Sequence, residues 1–169
     1  MLSKKMQEAL NDQITEEAYA SDYYLSMASW CDTRGYRGAA GFMYTHSEQE
    51  RMHMMKLFRY VNAAGGYAAI GEVGKPPQKF ESLQQIMEKT LEHERDLTRK
   101  INGLVGACLA EKDYSTFNFL QWYVAEQHEE ERVLQLILDL LKISGADGRG
   151  LLLVDKEIGA LGGNGKPQA

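Results

Sequence analysis

Proline is nearly absent. The 169-residue chain has three, Pro76, Pro77 and Pro167, so residues 4–64 and 83–143 hold no obligatory helix breaker. Cysteine is as scarce: Cys31 and Cys108 sit inside helical patterns and read as small buried apolar residues, too few for a disulfide scaffold. No apolar run approaches the roughly 18 residues of a membrane-crossing helix, so no membrane role is expected. The opening MLSKKMQEALNDQ turns amphipathic at once and lacks the apolar centre of a signal peptide, which makes the cytoplasm the expected location. Basic runs are missing too. With 24 Asp+Glu against 19 Lys+Arg the net charge is −5, and no nucleic-acid partner is expected.

Strand-like alternation is absent, while a period of about 3.6 residues persists through most of the chain. The pattern predicts four long helices. The first spans about 4–34, stopping at Arg34-Gly35, and the second about 37–64, stopping at Gly65-Gly66. The third follows Ser82, with Gln85 placed for a capping box, and ends near Lys112. The fourth runs from about Tyr114 to Ser144 and is closed by Gly145. Short turns join the first helix to the second and the third to the fourth, making two antiparallel hairpins. The connection between the hairpins has roughly 18 residues, which extended could reach ~59 Å, whereas a helix of about 28 residues is only ~42 Å long. It can traverse the bundle, leaving the second and third helices parallel.

After Gly145–Gly150 comes a short apolar segment, Leu151-Leu152-Leu153-Val154 and on to Leu161. It reads either as a tail folded back on the bundle or as a contact between copies, since four adjacent apolar residues in water form a sticky patch. The expected organisation is one all-α domain over residues 1–169. The bundle occupies about 4–144, a short helix about 150–161 and a flexible tail 162–169.

Each long helix has a stripe that should face the core, and each stripe contains an acid. The first carries Leu10, Ile14, Glu17, Ser21, Tyr24, Ala28 and Cys31; the second Met43, His46, Glu50, His53, Leu57 and Val61. The third carries Met87, Leu91, Glu94, Leu97, Ile101, Val105 and Cys108; the fourth Leu120, Tyr123, Gln127, Glu130, Leu134, Ile137 and Leu141. A buried, unpaired carboxylate costs several kcal/mol, about the same on each of the four helices, and no Lys or Arg stands on any stripe. A metal cation is the natural counter-charge. The spacing agrees, because residues 17 and 94, 50 and 127, and 53 and 130 are each 77 apart. Within each hairpin the paired positions lie within roughly 1.5 Å of one level. Four carboxylates and one imidazole, mostly hard oxygen donors, suit two divalent ions better than a zinc site rich in Cys and His.

Tyr24, two turns beyond Glu17, reads equally as a neighbour of the metals and as a core tyrosine with a bonded hydroxyl. Trp122 reads as packing, and Met52, Met54 and Met55 as core filling. His46, one turn before Glu50, reads as a satisfied polar residue, and His93 and His128 as solvated. Glu126, Glu129 and Glu131 form either a solvated face or, near a metal centre, a third cation site or an exit path.

The run 113–131, DYSTFNFLQWYVAEQHEEE, with Glu17, Tyr24 and Glu50-x-x-His53, resembles the prokaryotic non-haem ferritins over nearly the whole chain. The resemblance implies a ferritin-like four-helix bundle with a short fifth helix and a hollow shell of twenty-four identical subunits. It also implies a ferroxidase centre of two irons per subunit, where Fe(II) is oxidised by dioxygen or hydrogen peroxide before mineral forms inside. By position, Glu17, Glu50 and His53 would hold the first iron and Glu94 and Glu130 the second. Glu50 would bridge them, with Gln127 beside the oxygen-binding space and Tyr24 as the tyrosine next to the centre. A third site would use Glu126, Glu129 and Glu130, but its partner on the second helix is Gln49 rather than an acid. Haem is not expected: bacterioferritins are expected to carry Glu-x-x-His on the fourth helix and a methionine after the second-helix glutamate. This chain has Gln127-x-x-Glu130 and Arg51 there. A di-iron oxygenase acting on an organic substrate, and a helical interaction module with solvated acids, are the rival readings.

Overall fold

Side-chain caps set where the helices begin. The computed structural model describes residues 2–145 and 147–162. Ser3 accepts the Met6 N–H at 3.0 Å and starts α1, Lys4–Thr33. Gly35, with φ +82°, turns the chain into α2, Arg37–Ala63, and Gly65 (φ +82°) follows its end. Ser82 accepts the Gln85 N–H at 3.1 Å and opens α3, Leu83–Glu111, while the Gln85 amide oxygen reaches back to the Glu81 N–H. That is a capping box displaced by one residue. Asp113 caps α4, Tyr114–Ser144, through the Thr116 N–H. A fifth helix, α5, spans Gly148–Gly162. Every regular element among the described residues is helical.

The connection between α2 and α3 runs along α1. The Tyr67 N–H donates to Gln7, Asn11 donates to the Tyr67 carbonyl, and the Gly71 N–H donates to Thr15 Oγ1. Further along, Ser26 donates to the Pro77 carbonyl, and Phe80 packs edge-on against Trp30. These contacts climb from Gln7 to Trp30, well over half of α1. α3 therefore starts at the end of the bundle where α1 finishes, parallel to α2 as expected.

The core has two apolar clusters. One, with Met27, Ala28, Cys31, Met43, Met87 and Ile137, lies toward the α1–α2 turn. The other, with Leu10, Ile14, Leu57, Val61, Leu104 and Leu120, lies toward the opposite end. The buried acids of all four long helices sit where the two clusters meet, with apolar side chains toward both ends of the bundle.

The fifth helix folds back and also leaves apolar surface outward. Val154, Asp155 and Ile158 are buried, and the Asp155 carboxylate accepts the N–H groups of Gly38 (3.0 Å) and Ala39 (2.8 Å). This caps α2 from across the molecule, since Tyr36 at its own N-cap makes no side-chain bond. Leu152 and Leu153 remain exposed, as does Ile143 at the end of α4. α5 begins two residues before the expected start and takes in Gly162; the rest of the expected tail, 163–169, lies outside the described residues.

A few expectations need correction. Val105 is only half-buried and Leu104 takes the core position. Met52 is 43% exposed, because two residues beyond Glu50 the helix has turned roughly 200°, whereas Met54 is buried. No described helix is long and apolar enough to cross a membrane.

Candidate metal centre

Glu17 of α1, Glu50 and His53 of α2, Glu94 of α3, and Gln127 and Glu130 of α4 meet between the two clusters, none more than 7% exposed. The structure brings together all six residues expected there. Nδ1 of His53 lies 3.3 Å from Oε2 of Glu50 and 4.0 Å from Oε2 of Glu17. One donor atom each of Glu17, Glu50 and His53 fall within 4.8 Å of one another, and so do one each of His46, Glu50 and Glu130. Glu50 belongs to both sets, the arrangement a bridging carboxylate requires.

What these groups lack is partners. Oε2 of Glu17, Oε1 of Glu50, both oxygens of Glu130 and Oε1 of Gln127 are buried with no hydrogen bond. Buried polar atoms are normally satisfied, so a cluster of orphaned carboxylate oxygens is a donor set that could hold a cation. The only basic groups paired with this cluster among the described residues are His46 and His53.

Burial governs the electrostatics. It pushes Glu17 up to about 7 and raises Glu50 well above the usual carboxylate range, with Glu130, Glu94 and Glu17 adding repulsion. Glu130 is raised for the same reason, burial first and then the charge of Glu94. For Glu94 burial also pushes upward, but His46, the Tyr24 hydroxyl and the Gln127 amide outweigh it and hold the carboxyl at about 2. His53 is driven down to about 4 by burial, so near neutral pH its ring is uncharged and able to ligate.

Glu94 differs from the other three acids because its oxygens are engaged. Oε1 accepts the Tyr24 hydroxyl, and Oε2 accepts Nε2 of Gln127 at 3.1 Å. Tyr24 is thus a core tyrosine with a bonded hydroxyl and a neighbour of the cluster at once. The reading as a core tyrosine with a bonded hydroxyl holds.

Residues outside the expected set complete the surroundings. Gln13 donates to Glu17 Oε1, a contact its four-residue spacing could have signalled. His93 is partly buried rather than solvated, with Nδ1 3.0 Å from the Tyr24 oxygen and its ring against Tyr19 and Tyr23. It lies off the acidic stripe, and only the aromatic run Tyr19–Tyr23–Tyr24 hinted that α1 would cover it. His46 is buried, but its Nε2 has no hydrogen bond, so it is not the satisfied polar residue expected. His128 is exposed as expected. Trp122 stacks on Tyr123 and touches the His53 ring, with the Lys56 ammonium 3.7 Å from its own ring centre.

Beside the cluster, Phe42, His46, Gln49, Glu126, Glu129 and Glu130 line part of a cavity of about 250 Å³. Glu126 is exposed yet offers an oxygen within 4.8 Å of donors from His53 and Glu130. Glu129 is taken: Arg132 clasps it through Nε at 2.8 Å and Nη2 at 2.6 Å, holding its carboxyl below the ordinary value.

A family model described as a ferritin-like domain matches residues 7–144. A probable bacterial non-heme ferritin-like protein of Haemophilus influenzae is 50% identical over 161 residues, 95% of this chain and 98% of its own. The bacterial non-heme ferritin of Campylobacter jejuni is 48% identical over 158 residues, 94% of this chain and 95% of its own. Among solved structures, the open pore ferritin of the archaeon Archaeoglobus fulgidus superposes with a TM-score of 0.91 at 43% identity. That match covers 94% of this chain and 98% of the archaeal one.

Proposed function

The chain belongs to the ferritin-like family, and on that premise we propose that it stores iron after oxidising it at a di-iron centre inside each subunit. Fe(II) is the substrate. Glu17, Glu50 and His53 hold one ferrous ion, Glu94 and Glu130 the other, and Glu50 lies between them. Each ion gives up one electron, so the pair delivers the two electrons that dioxygen or hydrogen peroxide takes up. Ferric product then leaves by the Gln49–Glu126 side toward a mineral in the cavity of a homo-oligomeric shell, expected to have twenty-four subunits.

The chain's own residues contribute position, dryness and proton handling. The two apolar clusters exclude bulk water, which strengthens each carboxylate–cation attraction. Tyr24 and Gln127 hold Glu94 from opposite oxygens, and Gln13 holds Glu17. The exposed Leu152, Leu153 and Ile143 support assembly through the α5 end, where a monomer would leave them in water. A third iron site is weakened by Gln49 and by the Arg132 clasp on Glu129.

The observation that carries the reading is the set of buried, unpartnered oxygens on Glu17, Glu50 and Glu130, with no lysine or arginine buried among the described residues. The test is ferrous oxidation followed by stopped-flow absorbance and oxygen consumption, on protein whose assembly size is measured in the same preparation. Glu50→Ala is expected to lose fast oxidation while keeping its helix content and assembly. Normal turnover by that variant would refute the assignment.

A further inference from the structure

We propose that His46 supplies an imidazole ligand, through Nε2, to the second of the two cations, the one shared by Glu50 and Glu130; the inference rests on the metal centre proposed above. His46 stands one turn before Glu50 on α2 and is 5% exposed. Its ring is held by packing rather than by hydrogen bonding to Nε2. It stacks on Phe42 with centroids 5.1 Å apart and planes 21° apart, and leans on the Tyr24 ring at 5.2 Å.

Held in this way, Nε2 is buried with no hydrogen bond. Glu94 Oε1 is 3.5 Å away, beyond the usual range for N–H···O, and already accepts the Tyr24 hydroxyl. Three more unpartnered atoms, Oε1 of Glu50 and both oxygens of Glu130, belong to the residues His46 is grouped with. Donor atoms of the three side chains lie within 4.8 Å of one another. A buried polar nitrogen left open beside open carboxylate oxygens is what a ligand looks like before its ion arrives.

The pattern along α2 has a simple form. His46-x-x-x-Glu50-x-x-His53 places an imidazole one turn before the shared carboxylate and another one turn after it, all on one helix face. Each ion then has one nitrogen donor. A mixed nitrogen and oxygen set favours ferrous, cobaltous and zinc ions over magnesium and calcium, which prefer oxygen alone.

The test is anaerobic Co(II) titration of the wild type, His46→Ala and His46→Gln, with a crystal structure of the Co(II)-loaded wild type read by anomalous scattering. The second ion is expected to bind about 10- to 100-fold more weakly in both variants, with the first unchanged as an internal control on folding. The crystal should place an ion about 2.1 Å from Nε2 of His46. Glutamine keeps the size of the side chain and an N–H to offer Glu94. Wild-type affinity in His46→Gln would therefore mean that His46 only positions Glu94, and would overturn the inference. A cobalt ion bound by Glu50 and Glu130 with Nε2 out of bonding range would do the same. If the wild type bound no cobalt, the underlying metal centre would fall instead, an outcome distinct from two ions bound equally well by all three proteins.

Discussion

Tyr24 donates its hydroxyl proton to Oε1 of Glu94, while its oxygen sits 3.0 Å from Nδ1 of His93. The hydroxyl has one proton to give, so His93 serves as donor in turn, and a chain of three groups from α3 and α1 fixes one carboxylate. Tyr24→Phe removes the middle of this chain. The variant should fold, lose about 1 kcal/mol of stability, and bind the second Co(II) about tenfold more weakly. Calorimetry of the metal-free and cobalt-titrated protein reads both effects, and unchanged second-ion affinity would show that Glu94 is placed by its backbone alone.

Glu50 costs the metal-free fold stability. It is fully buried, one oxygen has no partner, and three other carboxyls surround it. Glu50→Met replaces it with an apolar side chain of similar length. In the absence of metal this variant should be more stable by about 1–3 kcal/mol, yet it should bind no ion tightly. A lower denaturation midpoint than the metal-free wild type would show that the carboxyl is satisfied in a way the geometry does not reveal.

The stability of the metal-free protein should fall on the alkaline side. Glu17 titrates at about 7 in the fold against an ordinary 4.5, so its contribution is complete below pH 4.5 and is lost as pH rises to about 7. Glu50 and Glu130, also raised by burial, act in the same direction. His53 has the opposite sign: depressed from 6.5 to about 4, it destabilises as pH falls between those values, and Glu94, held at about 2, adds to the loss below 4.5. The two trends oppose each other between 4.5 and 6.5, and above 6.5 the raised carboxyls act alone. Melting of metal-free protein from pH 6.5 to 8.5 should show a falling midpoint that bound metal removes. A rising midpoint would contradict the burial of protonated acids.

Asp155 fastens the fifth helix to the bundle. Its carboxylate replaces the missing N-cap of α2, and Gly38 lets the helices touch, since a Cβ there would meet the Asp155 carbonyl oxygen at 1.8 Å. Asp155→Ala should cost about 1–2 kcal/mol, and Gly38→Ala should lift α5 away. Trypsin cleavage after Arg149 is the readout, faster in both variants than in the wild type. Equal rates would mean that α5 is held elsewhere.

Much of this arrangement is legible in the chain itself. Helix ends follow from local chemistry: Ser3, Ser82 and Asp113 cap through their own side chains, and Gly35 and Gly65 adopt the turns only glycine enters freely. The acids were visible because four of them interrupt apolar stripes at one level. Two features were not. His93 belongs to the site through Tyr24, a residue of another helix, and no periodicity within α3 reports that contact. The capping of α2 by Asp155 joins residues more than a hundred positions apart, so α2 looks uncapped from its own sequence. His46 was on the stripe, but whether its nitrogen has a partner depends on how Phe42 and Tyr24 orient the ring.

If cations make the buried acids tolerable, loading them must change the number of protons the protein holds. Burial raises the carboxyls of Glu17, Glu50 and Glu130 and so favours their protonated forms in the metal-free protein, and a cation that binds them competes with those protons. Anaerobic Co(II) titration at pH 6.5 in buffers of different ionisation enthalpy measures ions bound and protons released together. Two tight ions per chain with net proton release is the predicted result. An absence of saturable binding, or binding without proton release, would contradict it.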